Sequence, residues 1–325
     1  DMDMESSIYL EHLQDLVENG DVSLELIDDA VRRILRVKYE LGLFDDPYRY
    51  LDEGREAAVL LSPENLAAAR KVAERSIVLL KNDDHLLPLK GGEKVALIGA
   101  LAADEDSPLG NWRAMGESDS AVSVVDAFEA AGIDFTYAEG AVLEIGSAGF
   151  PDPVVVNTED RSGFSEAVAA ARGADKVVIV LGEDARQSGE GRSRTRLGFP
   201  GVQQELLEAV TEANPNTILV VMSGRPLVLS WADENLPTIV QAWHLGSDSG
   251  HALTNVLTGK YNPSGKLPMS FPRSVGQVPV YYNHFNTGRP DEIPDVFWSH
   301  FTDEKNTPLY PFGHGLSYTS FAYSD

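Results

Sequence analysis

Short, almost wholly apolar runs alternate with stretches of helical apolar spacing through the middle of this 325-residue chain. Ile77–Leu80, Val95–Ile98, Phe135–Tyr137, Val177–Leu181, Ile218–Met222 and Thr238–Ala242 read as strands. Between them, Val124–Ala131, Phe164–Ala171, the stripe Val202, Leu206, Leu207, Val210 and the segment Ala252–Leu257 read as helices, and Ser62-Pro63 opens another with proline at its first position. Strands apolar on both faces, alternating with helices, predict a mostly parallel six-stranded sheet covered on both sides. The fold class is α/β. Ahead of it, Ile8, Leu10, Leu13, Leu16 and Val17 recur at helical spacing, stopped by Asn19-Gly20. Ser23 then reads as the N-cap of a second helix, with Leu24, Ile27, Val31, Ile34 and Leu35 as its stripe and Gly42 after its end. The expected organisation is therefore two helices over 1–44, an irregular charged linker over 45–62, the α/β domain over 63–272, and a proline-, glycine- and aromatic-rich segment over 273–325 that wraps a surface.

Charge and composition narrow the partners. With 51 acidic and 26 basic residues the formal net charge is −25, which disfavours nucleic acid and anionic membrane as partners, since both select a basic face. No cysteine is present, so thiol catalysis, cysteine metal sites and disulfides are excluded. No apolar run approaches the ~20 residues that span a bilayer. The opening Asp1-Met2-Asp3-Met4 has neither an initiator Met at position 1 nor a leader, and reads as the start of a fragment or processed piece.

The candidate chemistry lies in two loops. Ser188-Gly189-Glu190-Gly191-Arg192 follows the strand at Val177–Leu181 and displays one carboxylate between glycines. In open α/β sheets, ligands bind beyond the carboxyl ends of strands, and glycine permits close backbone approach. Glu190 is thus a candidate general acid, with a solvated loop glutamate as the plain alternative. Gly110-Asn111-Trp112-Arg113 follows the second strand and should emerge on the same sheet edge. Trp112 either stacks on a sugar ring or anchors its own loop. Lys94–Asp104 resembles the opening of a dinucleotide fold, but Gly99 stands alone and no phosphate cradle follows. No two of the seven His have metal-ligand spacing on an obvious helix. His244 and His251, on either side of a glycine-rich turn, are candidates to meet or simply structural. No Gly-x-Ser-x-Gly elbow occurs. No metal and no cofactor are expected.

The last third carries a resemblance. Tyr261-Asn262-Pro263-Ser264-Gly265-Lys266-Leu267-Pro268 and Tyr310-Pro311-Phe312-Gly313-His314-Gly315-Leu316-Ser317-Tyr318 resemble motifs of family 3 glycoside hydrolases. So do Ser76–Asn82 with Leu87-Pro88-Leu89, and Gly224-Arg225-Pro226; Phe271–Tyr282 is similar to the bacterial periplasmic β-glucosidase type within that family. The resemblance implies retaining hydrolysis of terminal β-D-glucosides, with a nucleophilic Asp on a (β/α)8-type barrel and an acid/base Glu on the α/β domain. It assigns the acid/base role to Glu190 and stacking on the aglycone-side sugar to Trp112, and places Arg194 near the substrate. Glu183, in Leu181-Gly182-Glu183, is a rival acid that follows its strand too directly. The family's nucleophile motif, Ser-Asp followed by Trp or His, does not occur in the sequence; in relatives it lies just upstream of a segment like Asp1–Met4. The expectation is a C-terminal portion, holding the last barrel helices and the α/β domain and stopping before a fibronectin-like domain. Its partners would be a β-linked glucoside or oligosaccharide and the missing barrel segment. A homodimer is left open. The resemblance implies a periplasmic or secreted location and leaves the cytoplasm open. β-Xylosidase or exo-glucanase specificity remains an alternative, as does a non-catalytic carbohydrate-binding or scaffold module.

Overall fold

A computed structural model describes residues 1–114, 116–146, 152–285, 288–289, 295–320 and 322. The chain divides into two compact units, Asp1–Ser62 and Pro63–Asp325. The first contains α1 (Ile8–Glu18), α2 (Leu24–Glu40) and α3 (Glu53–Val59). The Ser23 hydroxyl caps α2 by accepting from the Leu26 amide, and Gly42, at φ 70°, ends it by donating to the Tyr39 carbonyl. None of the residues of these three helices is buried. Residues 45–62, read from the sequence as irregular, include the two turns of α3. Asp52 nucleates them by accepting from the Arg55 amide at 3.0 Å, and acidic residues in the first turn favour the helix N-terminus. The helix is short and lacks an apolar stripe, so periodicity does not reveal it.

The second unit opens with α4 (Pro63–Ser76) and continues through β1 (Val78–Asn82), β2 (Val95–Ile98), α5 (Val124–Ala131), β3 (Phe135–Ala138), α6 (Phe164–Arg172), β4 (Lys176–Gly182), α7 (Gln203–Ala213), β5 (Thr217–Met222), α8 (Ser230–Asn235), β6 (Thr238–Gln241) and α9 (Ser249–Leu257). The six strands form one sheet in the order β1-β6-β5-β4-β2-β3. All neighbours are parallel except β1 and β6. The six predicted strands are therefore present, within one or two residues of their expected ends. The helix α8, with only Ala232 buried, is too short to leave a pattern in the sequence.

Alternation along the strands builds two cores. Val177, Ile179 and Leu181 point to one face, beneath Ala167, Ala171, Leu206 and Leu207 of α6 and α7. Val178 and Val180 point to the other, beneath Val124, Phe128, Leu253 and Leu257 of α5 and α9. The segments around Leu267–Phe271 and Leu309–Leu316 close over the first face. The Phe271 amide donates to the Tyr310 carbonyl, the Leu309 amide to the Phe271 carbonyl, and the Leu316 amide to Leu79 of β1, all at 2.8 Å. Phe271 itself has no exposed surface and meets Trp243 and Tyr310 edge-on.

Two glycines shape the strand ends that face the candidate site. Gly99, just past β2, has φ 111°, and a Cβ there would lie 2.2 Å from the Val180 carbonyl oxygen. Gly182, the last residue of β4, has φ 145°, and its Cβ would lie 1.7 Å from the Met222 carbonyl oxygen. Both are glycine because the adjacent strand leaves no room for a side chain. Gly99 thus serves strand packing, with no phosphate-binding pattern around it.

Because Phe271 fills the interface between the sheet and its C-terminal cover, Phe271→Ala should cost about 3–5 kcal/mol. Chemical denaturation measures this; a loss below about 1 kcal/mol would show that the cover is not part of the core.

Candidate active site

The sheet order reverses direction between β2 and β4. From β2 the chain passes through α5 to β3 on one side; from β4 it passes through α7 to β5 on the other. That reversal is where open α/β sheets form ligand sites, outside the carboxyl ends of the strands. The loops carrying Trp112 and Glu190 leave these two strands.

After β2 the chain makes two 3-10 turns, Ala100–Ala102 and Ser107–Leu109. The Asp104 carboxylate ties the second turn by accepting from the Asp106 and Ser107 amides, each at 2.7 Å. Arg113 pairs with Asp106 across the loop tip. Gly110, at φ 76°, turns the backbone and presents Asn111 and Trp112. Trp112 is 69% exposed, so the indole does not anchor its own loop.

After β4, Asp184 caps a 3-10 turn over Ala185–Gln187, its carboxylate accepting from the Arg186 amide at 2.6 Å. Ser188, Gly189, Glu190 and Gly191 follow. Gly189 has φ 101°, and a Cβ there would stand 2.6 Å from the Asn111 amide group. The two loops therefore touch, at the residue before Glu190 and the residue before Trp112. Gly191 has φ 71° and open space around it, so glycine is required there by the turn alone. Glu190 is exposed, and among the described residues its carboxylate has no hydrogen-bond or ion-pair partner.

Glu183 occupies a different environment. It has no exposed surface, and both carboxylate oxygens are taken. Oε1 accepts from Nη1 of Arg194, and Oε2 from Nε of Arg225 at 3.2 Å. Its amide donates to the Met222 carbonyl, and its own carbonyl accepts from Nε2 of His244 at 3.0 Å. Burial pushes the His244 imidazole below its ordinary pKa. The neutral ring carries its proton on Nε2, because the carbonyl can only accept. Arg194 completes its contacts by donating to the Gly198 carbonyl at 3.1 Å. The structure thus places Arg194 in the wall behind the loop, four residues past Glu190. Arg225, whose motif the sequence shows only as part of a family pattern, also donates through Nη2 to the carbonyls of Gln187 and Arg192. Gly224 lets it approach: a Cβ there would lie 2.2 Å from the Ser188 hydroxyl oxygen.

The two histidines considered together take separate partners. His251 donates through Nδ1 to Asp248 at 2.6 Å beside Arg70, while His244 serves Glu183. Among the described residues, no group of three His, Asp or Glu is placed to hold a metal ion, and no helix is long and apolar enough to cross a membrane.

Residues 77–318 match the model of the glycosyl hydrolase family 3 C-terminal domain. The chain is 42% identical over 341 residues to a periplasmic beta-glucosidase of Salmonella typhimurium, covering 100% of this chain and 44% of that protein. It is 38% identical over 320 residues to a beta-xylosidase of Formosa agariphila, covering 96% and 42%. Among solved structures, a beta-glucosidase from Listeria innocua in complex with laminaribiose superposes with a TM-score of 0.85 at 34% identity, over 98% of this chain and 42% of that one. The chain spans under half the length of these relatives.

Burial, helped by Asp104 and Glu183, pushes the Asp184 carboxyl from 3.8 up to about 6, against the Arg186 and Gln187 amides that lower it. One of its oxygens, Oδ2, is buried without a partner among the described residues. Between pH 3.8 and about 6 the native state keeps a proton that the unfolded state releases. This group's effect is therefore absent below that window, and its destabilisation is complete above it. Asp184→Asn should raise unfolding free energy by about 1–3 kcal/mol at pH 7.5 and leave it unchanged near pH 3, below the window. Equal gains at both pH values would mean that burial of the charge is not the cause.

Proposed function

The chain belongs to glycosyl hydrolase family 3, and from that premise we propose that it supplies the general acid/base, Glu190, and an aglycone-side aromatic, Trp112, to the retaining hydrolysis of terminal β-D-glucosides. One observation carries the proposal: the loops bearing these residues meet at the Gly189–Asn111 contact, on the sheet edge beside the topological switch. Glu183 is unsuited to the task, since it has no exposed surface and both oxygens are held by guanidinium groups.

Retaining hydrolysis needs two carboxyl groups about 5–5.5 Å apart across the glycosidic bond. One attacks the anomeric carbon and forms a covalent glycosyl-enzyme. Glu190 protonates the departing oxygen, then takes a proton from the water that releases the sugar. The nucleophilic Asp comes from residues outside this chain. The Trp112 indole offers an apolar face to the leaving sugar. Arg194 contributes through the loop it holds in place. Relatives named as β-glucosidases support glucose as the glycone, and one is named periplasmic, which supports export. A β-xylosidase reading is favoured by the Formosa agariphila relative; comparing glucoside with xyloside turnover decides between them.

In the full-length polypeptide, Glu190→Ala should lower kcat/KM for cellobiose by about 10²–10⁴-fold, and spare dinitrophenyl glucoside, whose leaving group needs no proton. Unchanged cellobiose turnover would remove Glu190 from the mechanism. Trp112→Ala should raise KM for cellobiose by about 2–10-fold, equivalent to about 0.5–1.5 kcal/mol, with a smaller change for methyl glucoside. An equal change for both would argue against stacking on the aglycone sugar.

A further inference from the structure

Arg225 lies in the connection after β5 and comes from a different strand than the loop it touches. Its Nη2 donates to two backbone carbonyls of that loop, Gln187 and Arg192, the latter at 2.8 Å. These carbonyls stand three residues before and two residues after Glu190. One guanidinium nitrogen therefore closes the two arms of the loop on each other. The opposite edge of the same group donates through Nε to buried Glu183, at 3.2 Å. Arg225 is itself fixed from behind: the Ser223 hydroxyl donates to its carbonyl at 2.8 Å, and fully buried Gln241 of β6 donates to that hydroxyl at 3.1 Å. A continuous path of hydrogen bonds thus runs from the sheet interior to the flanks of Glu190.

We propose that Arg225 is the positioning residue for Glu190, clamping the ends of its loop to the buried Glu183 carboxylate so that the exposed acid is delivered at one fixed height above the sheet. The proposal rests on the reading of Glu190 as the acid/base. Glycine at 189 and 191 gives the loop its turn and removes its intrinsic stiffness; φ is 101° and 71° at these positions. The carboxylate between them has no partner of its own among the described residues, so its position is set by what holds the flanking backbone. A planar fork can serve three acceptors at once. A lysine ammonium keeps the charge but loses the fork geometry. Arg194 adds a second tie to Glu183 farther along the loop, which leaves the loop attached but unclosed when Arg225 is changed.

The test uses the full-length polypeptide with Arg225→Lys, alone and combined with Glu190→Ala. Misplacing a proton donor by about 1 Å costs up to about 10²-fold, so Arg225→Lys should lower kcat/KM for cellobiose by about 10–10²-fold while kcat/KM for dinitrophenyl glucoside, which reports only glycosyl-enzyme formation with a leaving group that needs no proton, falls by no more than about 3-fold. In the Glu190→Ala background the same change should have no further effect on either substrate, because the residue acts through Glu190. Hydrogen exchange should rise over residues 188–193 and stay unchanged over β4 and β5. Arg225→Met should give the same pattern more strongly. Equal losses on both substrates, or an undiminished loss when Glu190 is absent, would overturn the positioning role while leaving the acid/base assignment standing. A Glu190→Ala variant that hydrolyses cellobiose normally would overturn both.

Discussion

The candidate site depends on a carboxylate that no substrate can reach. Glu183 follows Gly182 at the end of β4, has no exposed surface, and holds the guanidinium groups of Arg194 and Arg225. In that setting a lone charge would be untenable, and removing one partner of a buried ion pair typically costs about 3–5 kcal/mol. The two arginines come from opposite sides, one from the far arm of the Glu190 loop and one from the connection after β5. Their meeting point decides where the loop can go. Because β4 and β5 are hydrogen-bonded along their whole lengths, the anchor is as rigid as the sheet.

The second constraint is room. Gly99, just past β2, and Gly182, at the end of β4, stand where neighbouring carbonyl oxygens would lie 2.2 and 1.7 Å from a Cβ, and a Cβ on Gly189 would lie 2.6 Å from the Asn111 side-chain amide. These three contacts let the β2 and β4 loops rise side by side and touch. The loops hold each other through the Ala185 amide, which donates to the Ser107 hydroxyl at 3.3 Å, and through the close approach of Gly189 to Asn111, while Trp112 and Glu190 stay exposed.

Much of this was legible in the sequence, for physical reasons that differ by element. The six strands announce themselves as apolar runs because both faces are buried, as at Val177–Leu181. The loop carboxylate was visible because glycines flank it and a strand precedes it. The helix α3 was not, since its stability comes from the Asp52 cap and carries no apolar stripe. Arg225 was visible only as part of a family pattern. Its role depends on two carbonyls 33 and 38 residues earlier in the chain, and hydrogen bonds to backbone carbonyls leave no mark on side-chain identity at the acceptor. The closeness of Glu183 to its strand demotes it as an acid, but its ion pairs join residues 11 and 42 positions apart in the chain, which no local pattern reveals.

In the proposed mechanism Glu190 is the acid/base and the nucleophile is a different residue. The most direct measurement is the stereochemistry of the product when Glu190→Ala full-length protein turns over dinitrophenyl glucoside in azide. With the nucleophile intact, azide displaces the covalent intermediate, and the account predicts β-glucosyl azide, with retained configuration. The α-azide would identify Glu190 as the nucleophile and contradict it.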